Sequence, residues 1–182
     1  MITVISGTNR KDSLSKIVAQ HVFELLQENT SEEIKFLSLE DLPDGILHVD
    51  MYGSENQSKE LAALQDEFVI PADKFYFIIP EYNGSFPGIL KLFMDACSVR
   101  KYKESFHGGK KAALLGLASG RAGNLRGLDH FSGVLNYLQI SVMPPHQPIG
   151  NIEKLLDKSV DKINDKETIK LLESQIRKFI NF

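Results

Sequence analysis

Five short apolar runs alternating with segments of helical period constrain this chain more than any other feature. The first, Ile2 to Ser6, is β-branched and ends at Gly7, the signature of a strand buried on both faces. Leu14, Ile17, Val18, His21, Val22, Leu25 and Leu26 follow at helical spacing, with Asp12 or Ser13 able to cap that helix. Further strands are predicted over residues 34–39, 75–79, 112–118 and 140–143, the last closed by Pro144-Pro145. Helices are predicted over residues 58–68, 86–97 and 125–138. Residues 40–57 read as an irregular excursion and 99–109 as a polar loop. From Asn151 onward the pattern predicts charged helix, with Lys154, Lys158, Lys162, Lys166 and Lys170 every four residues. That helix reads as a solvated surface with local ion pairs, or as a face that docks a second subunit. Such alternation specifies a parallel sheet with right-handed crossovers and helices on both sides.

Length and composition narrow the class. A chain of 182 residues is expected to form one domain, and 42% hydrophobic with 25% charged residues excludes disorder and fibrous repeats. The balance of 21 basic against 24 acidic residues, a net −3, makes no general magnet for nucleic acid or anionic lipid. One cysteine, Cys97, forms no internal disulfide and no multi-cysteine metal site; its place in an apolar helical stripe predicts a buried, structural thiol. The five histidines lack metal-ligand spacing, and His21, on an apolar helix face, is expected to be packed. No Gly-x-Ser-x-Gly elbow is present. No apolar run approaches a membrane span and no basic leader precedes the first strand, so a cytoplasmic protein is expected.

In an open α/β sheet, ligands sit beyond the carboxyl ends of the strands. Three loops lie there. The first, Gly7-Thr8-Asn9-Arg10-Lys11-Asp12-Ser13-Leu14-Ser15, runs into a helix N-terminus, where free N–H groups favour an anion. Thr8, Ser13 and Ser15 add hydroxyl donors and Arg10 a charged fork. With neither a Walker A motif nor Gly-x-Gly-x-x-Gly, the loop suits a monophosphate; it also reads as a plain helix cap with an exposed arginine. The second, Pro80-Glu81-Tyr82-Asn83-Gly84-Ser85-Phe86-Pro87-Gly88, offers aromatic surface and backbone that comes close, as a flat heterocycle needs; it also reads as a tight connection whose aromatics fill the core. The third, residues 119–124, has Gly120, Arg121 and Gly123 and reads either as the far side of a planar ligand or as a turn. Together the loops describe a flavin mononucleotide (FMN) site on a flavodoxin-like, doubly wound, five-stranded parallel sheet in three α/β/α layers.

The motifs resemble the NAD(P)H-dependent FMN reductase family of flavodoxin-like fold, which includes chromate, quinone and azo-dye reductases. That family opens with Gly-Ser-x-Arg-x-x-Ser, here Gly7-Thr8-Asn9-Arg10-Lys11-Asp12-Ser13. Its second signature, Pro-Glu-Tyr-Asn-x-Ser-x-Pro-Gly-x-Leu-Lys with an Asp four residues later, is matched from Pro80 to Lys91 and at Asp95. The stretch from Ser119 to Gly127 resembles its third loop, and the similarity covers residues 1–145. After Lys91 the chain departs from the family's Asn-Ala-Ile-Asp-Trp, reading Leu92-Phe93-Met94-Asp95-Ala96.

The resemblance implies bound FMN. Thr8, Arg10, Ser13 and Ser15 would hold its phosphate, with Leu14 in the same loop. Pro80, Glu81, Tyr82, Asn83, Gly84 and Ser85 would line its ring, mostly through backbone, with Tyr82 against it; Ser119, Gly120 and Arg121 would border the other side. It further implies NADPH or NADH as co-substrate, a small-molecule electron acceptor, and a homodimer or homotetramer. The expected activity is hydride transfer from nicotinamide to FMN and onward to a quinone, azo, flavin or metal-oxyanion acceptor, with no catalytic dyad in the protein. The competing expectation is a flavodoxin-type electron carrier, which the modest net charge disfavours; a non-enzymatic flavin sensor is a third. Arg100, Lys101, Lys103 and Lys110 meet a 2′-phosphate or are simply solvated.

Overall fold

The strand signals resolve into one parallel sheet. In the computed structural model, which describes residues 1–53, 57–157, 159 and 161–182, the strands β1 (Ile2–Ser6), β2 (Ile34–Ser38), β3 (Lys74–Pro80), β4 (Lys111–Leu117) and β5 (Ser141–Val142) pair in the order β2-β1-β3-β4-β5. Every pair is parallel. The crossovers carry α1 (Leu14–Asn29), α2 (Lys59–Leu64), α3 (Gly88–Cys97) and α4 (Leu125–Tyr137). This is the flavodoxin-like α/β/α arrangement that the alternation specified.

Period-two alternation divides the core into two layers. Phe75, Phe77 and Ile79 of β3 point to one side, with Ile5, Ala112 and Leu114, where Leu61 of α2, Leu90 and Phe93 of α3, and Leu128, Phe131 and Leu135 of α4 cover them. Tyr76 and Ile78 point to the other, with Val4, Ala113 and Leu115, under Val18, Val22 and Leu26 of α1 and Leu172, Ile176 and Phe179 of the C-terminal helix. Cys97 is fully buried, and burial pushes its thiol pKa well up, so it packs as an apolar residue. Half-burial lowers the pKa of His21, as for a packed imidazole.

The structure departs from the sequence pattern in four places. The fifth strand is broken: β5 ends before Pro144-Pro145, whose missing N–H groups interrupt the ladder, and β6 (Gln147–Ile149) resumes parallel pairing with β4, Leu117 opposite Ile149. Next, the chain after Asn151 is not continuous helix. A short antiparallel pair, β7 (Leu156–Asp157) and β8 (Lys162–Ile163), comes first, with Leu156 and Ile163 buried. Its turn is closed by the Asp157 carboxylate, which accepts from Ser159 N–H at 2.9 Å and Oγ at 2.6 Å. Only Lys166 and Lys170 of the lysine series fall on α5 (Lys166–Asn181); Lys158 lies outside the described residues.

Third, α2 is shorter than expected and passes into a π-helical turn, Gln65–Val69. Gln65 is buried there, and its amide donates to the carbonyls of Cys97 and Arg100, both at 2.7 Å. Fourth, the polar loop after α3 is anchored by an aromatic residue. Phe106 is buried against Phe75 (centroids 4.9 Å apart) and edge-on to Phe93 (6.0 Å). Phe93, the bulky departure from the family pattern, thereby fills the core beside a fully buried Ala96, where the family has Trp. A 3₁₀ turn at Leu39–Asp41 leads into residues 40–57 and another lies at Val49–Tyr52, while Ser54, Glu55 and Asn56 are outside the described residues.

Lysines organise the amino edge of the sheet. Lys110 donates to the carbonyls of Val69, Ile70 and Ala72 at 2.5–3.0 Å, closing the π-helical segment. Lys74 donates to the Ile180 carbonyl at 2.7 Å, and Lys111 to that of Phe182, fastening the end of α5. Arg100 grips Asp66 through both guanidinium nitrogens. Arg100 and Lys110 are thus committed to the fold. No helix among the described residues is long and apolar enough to cross a membrane.

Phe106→Ala should destabilise the fold by about 3–5 kcal/mol, the range for emptying a buried aromatic site. Urea unfolding monitored by circular dichroism measures it; a loss below ~1 kcal/mol would show that the 99–109 loop does not rest on this side chain.

Candidate functional site

The carboxyl ends of β1, β3 and β4 meet at a cleft of about 380 Å³. Parallel pairing brings them together: Ser6 stands opposite Ile78 and Ile79 opposite Gly116. Gly7 N–H donates to the Ile78 carbonyl at 2.9 Å, so the first loop leaves the sheet directly beside the second.

The first loop forms one wall through Thr8, Arg10, Lys11, Asp12, Ser13, Leu14 and Ser15. Ser13 is the N-cap of α1; its Oγ accepts from Lys16 N–H at 3.3 Å, which leaves its own proton free to donate. The N–H groups of Leu14 and Ser15, the first two of α1, have no intrahelical partner and lie at the anion-favouring end of the helix dipole. Thr8, Ser13 and Ser15 are buried, whereas Arg10 is exposed. Asp12, at φ 53°, donates its N–H to Glu40 at 3.1 Å, which ties the loop to the residues after β2.

The second loop contributes Pro80, Glu81 and Tyr82. Glu81 N–H donates to the Leu117 carbonyl at 2.8 Å. Tyr82 and Ser85 exchange backbone hydrogen bonds (2.9 and 3.0 Å) across Asn83 and Gly84, whose φ values of 50° and 80° make a type I′ turn. Gly84 is there for its backbone: a Cβ on it would touch nothing within 4 Å, but a left-handed φ strains any L side chain. Tyr82 reaches back across the cleft, its hydroxyl 2.6 Å from Thr8 Oγ1.

Leu117, Ala118 and Ser119 supply the third side. Their loop is laced to the end of β6: Ala118 N–H donates to Ile149 (3.1 Å), Asn151 N–H to Gly120 (3.1 Å) and Ile152 N–H to Ala118 (3.2 Å). Gly123, at φ 59°, lies so close that a Cβ would come within 2.4 Å of Ile149 N. This lacing brings Ile152 and Glu153 to the cleft, with Ser119 Oγ 3.3 Å from the Glu153 carboxylate. Those two residues were missed from the sequence because the resumed strand β6 was not foreseen; the short run Pro148-Ile149-Gly150 is its only signal.

Of the fourteen site residues expected from sequence, Thr8, Arg10, Ser13, Leu14, Ser15, Pro80, Glu81, Tyr82 and Ser119 line the cleft. Asn83, Gly84, Ser85, Gly120 and Arg121 do not. Ser85 instead bonds His130 Nδ1 of α4 at 3.0 Å. Lys91 and Asp95, the spaced pair that ends the second signature, form an ion pair on α3 at 2.6 Å, away from the cleft. The cleft has the size of a small-molecule site and combines buried hydroxyls, helix N–H donors and one aromatic residue, so its donor set fits a flavin monophosphate.

Comparison with known proteins points the same way. The profile of the family described as NADPH-dependent FMN reductase matches residues 1–154. A 2-hydroxy-1,4-benzoquinone reductase of a Burkholderia species is 31% identical, over 98% of this chain and 93% of that protein. A quinone reductase of Pseudomonas putida is 30% identical, over 100% of this chain and 93% of its own length. Among solved structures, FerB of Paracoccus denitrificans, a flavoenzyme NAD(P)H:(acceptor) oxidoreductase, superposes with a TM-score of 0.75 at 25% identity, covering 99% of this chain and 94% of that one. The chain therefore belongs to the NADPH-dependent FMN reductase family of flavodoxin-like flavoprotein oxidoreductases.

Proposed function

We propose that the protein is an NAD(P)H-dependent, FMN-containing reductase of quinones and related acceptors. The observation that carries the reading is the cleft itself, in which the buried hydroxyls of Thr8, Ser13 and Ser15 meet the Pro80-Glu81-Tyr82 segment. The relatives named as quinone reductases support the acceptor class. The chemistry that FMN supplies when bound is acceptance of a hydride from NADH or NADPH and delivery of two electrons to the acceptor.

The residues of this chain bind and orient. Thr8, Ser13 and Ser15, with the first N–H groups of α1, would hold the phosphate, and the exposed Arg10 would add a charged donor. Pro80, Glu81 and Tyr82 present the ring-side surface, held by the bond from Glu81 N–H to Leu117 and by the turn at Asn83-Gly84. Leu117, Ala118 and Ser119 border the site from the opposite loop. Self-association belongs to the same proposal. A groove between α3 and α4 is lined by Met94, Val134, Tyr137 and Leu138, and Tyr137 is 81% exposed, which supports a second copy packing there. We place the protein in the cytoplasm.

Protein reconstituted with FMN should be yellow and should oxidise NADH or NADPH when a quinone is supplied. Absorption spectra during NADH and NADPH titration test both points. Failure to bind FMN ends the reading, and bound FMN that neither nucleotide bleaches promptly makes the protein an electron carrier instead.

Arg10→Ala should weaken FMN binding by about 1.5 kcal/mol, the lower end for a charge-assisted hydrogen bond because Arg10 is exposed. The loss should shrink as salt is raised; unchanged affinity removes Arg10 from the site. Gly84→Val should cost the fold about 1–2 kcal/mol, the penalty of a left-handed φ, and should weaken FMN binding indirectly by straining the turn that holds Tyr82. A variant with unchanged FMN affinity would show that the turn does not position Tyr82.

A further inference from the structure

We propose that Tyr82 acts through its hydroxyl, at the phosphate end of the cleft, and sets preference for the phosphorylated flavin over riboflavin. This rests on the FMN reading above and deepens it. The resemblance assigns Tyr82 to the ring by its flat face, yet its hydroxyl lies 2.6 Å from Thr8 Oγ1, in the loop that holds the phosphate.

Counting donors and acceptors gives the pair its chemistry. Thr8 is 1% exposed, and its hydroxyl offers one proton and two lone pairs. One lone pair accepts Arg10 N–H at 3.2 Å. The phenol, the more acidic of the two hydroxyls, donates to the other. Thr8 then has both lone pairs filled and one proton left, and it lines the cleft. With the bond reversed, the phenol holds the one free proton, and Tyr82 also lines the cleft. Either way the pair turns a single O–H donor toward the ligand. The remaining O–H can donate to either ligand, but its bond to an anionic phosphate oxygen is charge-assisted and roughly twice as strong as one to the neutral oxygen of a terminal alcohol, so the pair favours the phosphate. The chain ligand–Thr8–Tyr82 is also cooperative, each bond polarising the next.

The tyrosine is held where this requires. Its backbone N–H and carbonyl are both engaged with Ser85, and the preceding residue, Glu81, is bonded to Leu117. Tyr82 is therefore a positioning residue that fixes Thr8 as a donor. The ligand it selects is a flavin carrying a terminal phosphate, with riboflavin as the disfavoured alternative.

Flavin-fluorescence titrations of wild type, Tyr82→Phe, Thr8→Val and the double variant, each with FMN and with riboflavin, test this. Tyr82→Phe keeps the aromatic face. It should raise the FMN Kd about 5–10-fold, as loss of one hydrogen bond in a site does, and the riboflavin Kd less than about 2-fold. Adding Tyr82→Phe to Thr8→Val should change FMN binding by less than about 2-fold, because the partner is already gone. Riboflavin binding serves as the control for an intact fold. Equal losses for both flavins, full additivity in the double variant, or unchanged FMN affinity would each overturn the proposal. Wild type that binds neither flavin would instead overturn the FMN reading and this inference with it, before any variant is compared.

Discussion

The bond from Gly7 N–H to the carbonyl of Ile78 holds the molecule's working edge together. It is the last rung between β1 and β3, and a Cβ on Gly7 would sit 3.0 Å from that same carbonyl oxygen. A side chain there would press on that backbone oxygen and on Leu90, so a residue without one suits the exit of the first loop. With that rung in place the start of α1 and the Pro80-Glu81-Tyr82 segment share one cleft. Parallel pairing does the rest, since it stacks every carboxyl end on the same edge of the sheet.

Charge alone does not make this cleft attractive to a phosphate. Its lining carries Arg10 and Lys11 against Asp12, Glu81 and Glu153, so the acids outnumber the bases. On the proposed reading, phosphate binding rests on directed donors. Buried hydroxyls and helix N–H groups are aimed and partly desolvated, and an aimed donor in a low-dielectric setting outweighs a mobile surface charge.

The sequence was most readable where one residue decides a local outcome. Apolar runs ending at Gly7 and Pro80 located strands, and Asp12-Ser13 located a helix start. It was least readable where distant residues decide. Pro144-Pro145 ends a strand by every local rule, and only pairing with Leu115 and Leu117 shows that the strand resumes. The lysines after Asn151 have helical spacing, but burial of Leu156 against the core and the Asp157–Ser159 turn override it. Phe106 looked like one apolar residue in a polar loop, and its place among Phe75, Phe77 and Phe93 is set by tertiary packing alone. Ile152 and Glu153 were missed for the same reason: hydrogen bonds between the ends of β4 and β6 put them in the cleft.

Lys74, Lys110 and Lys111 gather at the amino ends of β3 and β4, where they fasten the carbonyls of the π-helical segment and of the end of α5. The same two strands carry the ligand loops at their opposite ends. Anchorage and recognition are thereby spatially uncoupled, with the length of a strand between them. Loops at the crest can therefore change without loosening the base of the scaffold, which stays clamped by the lysines.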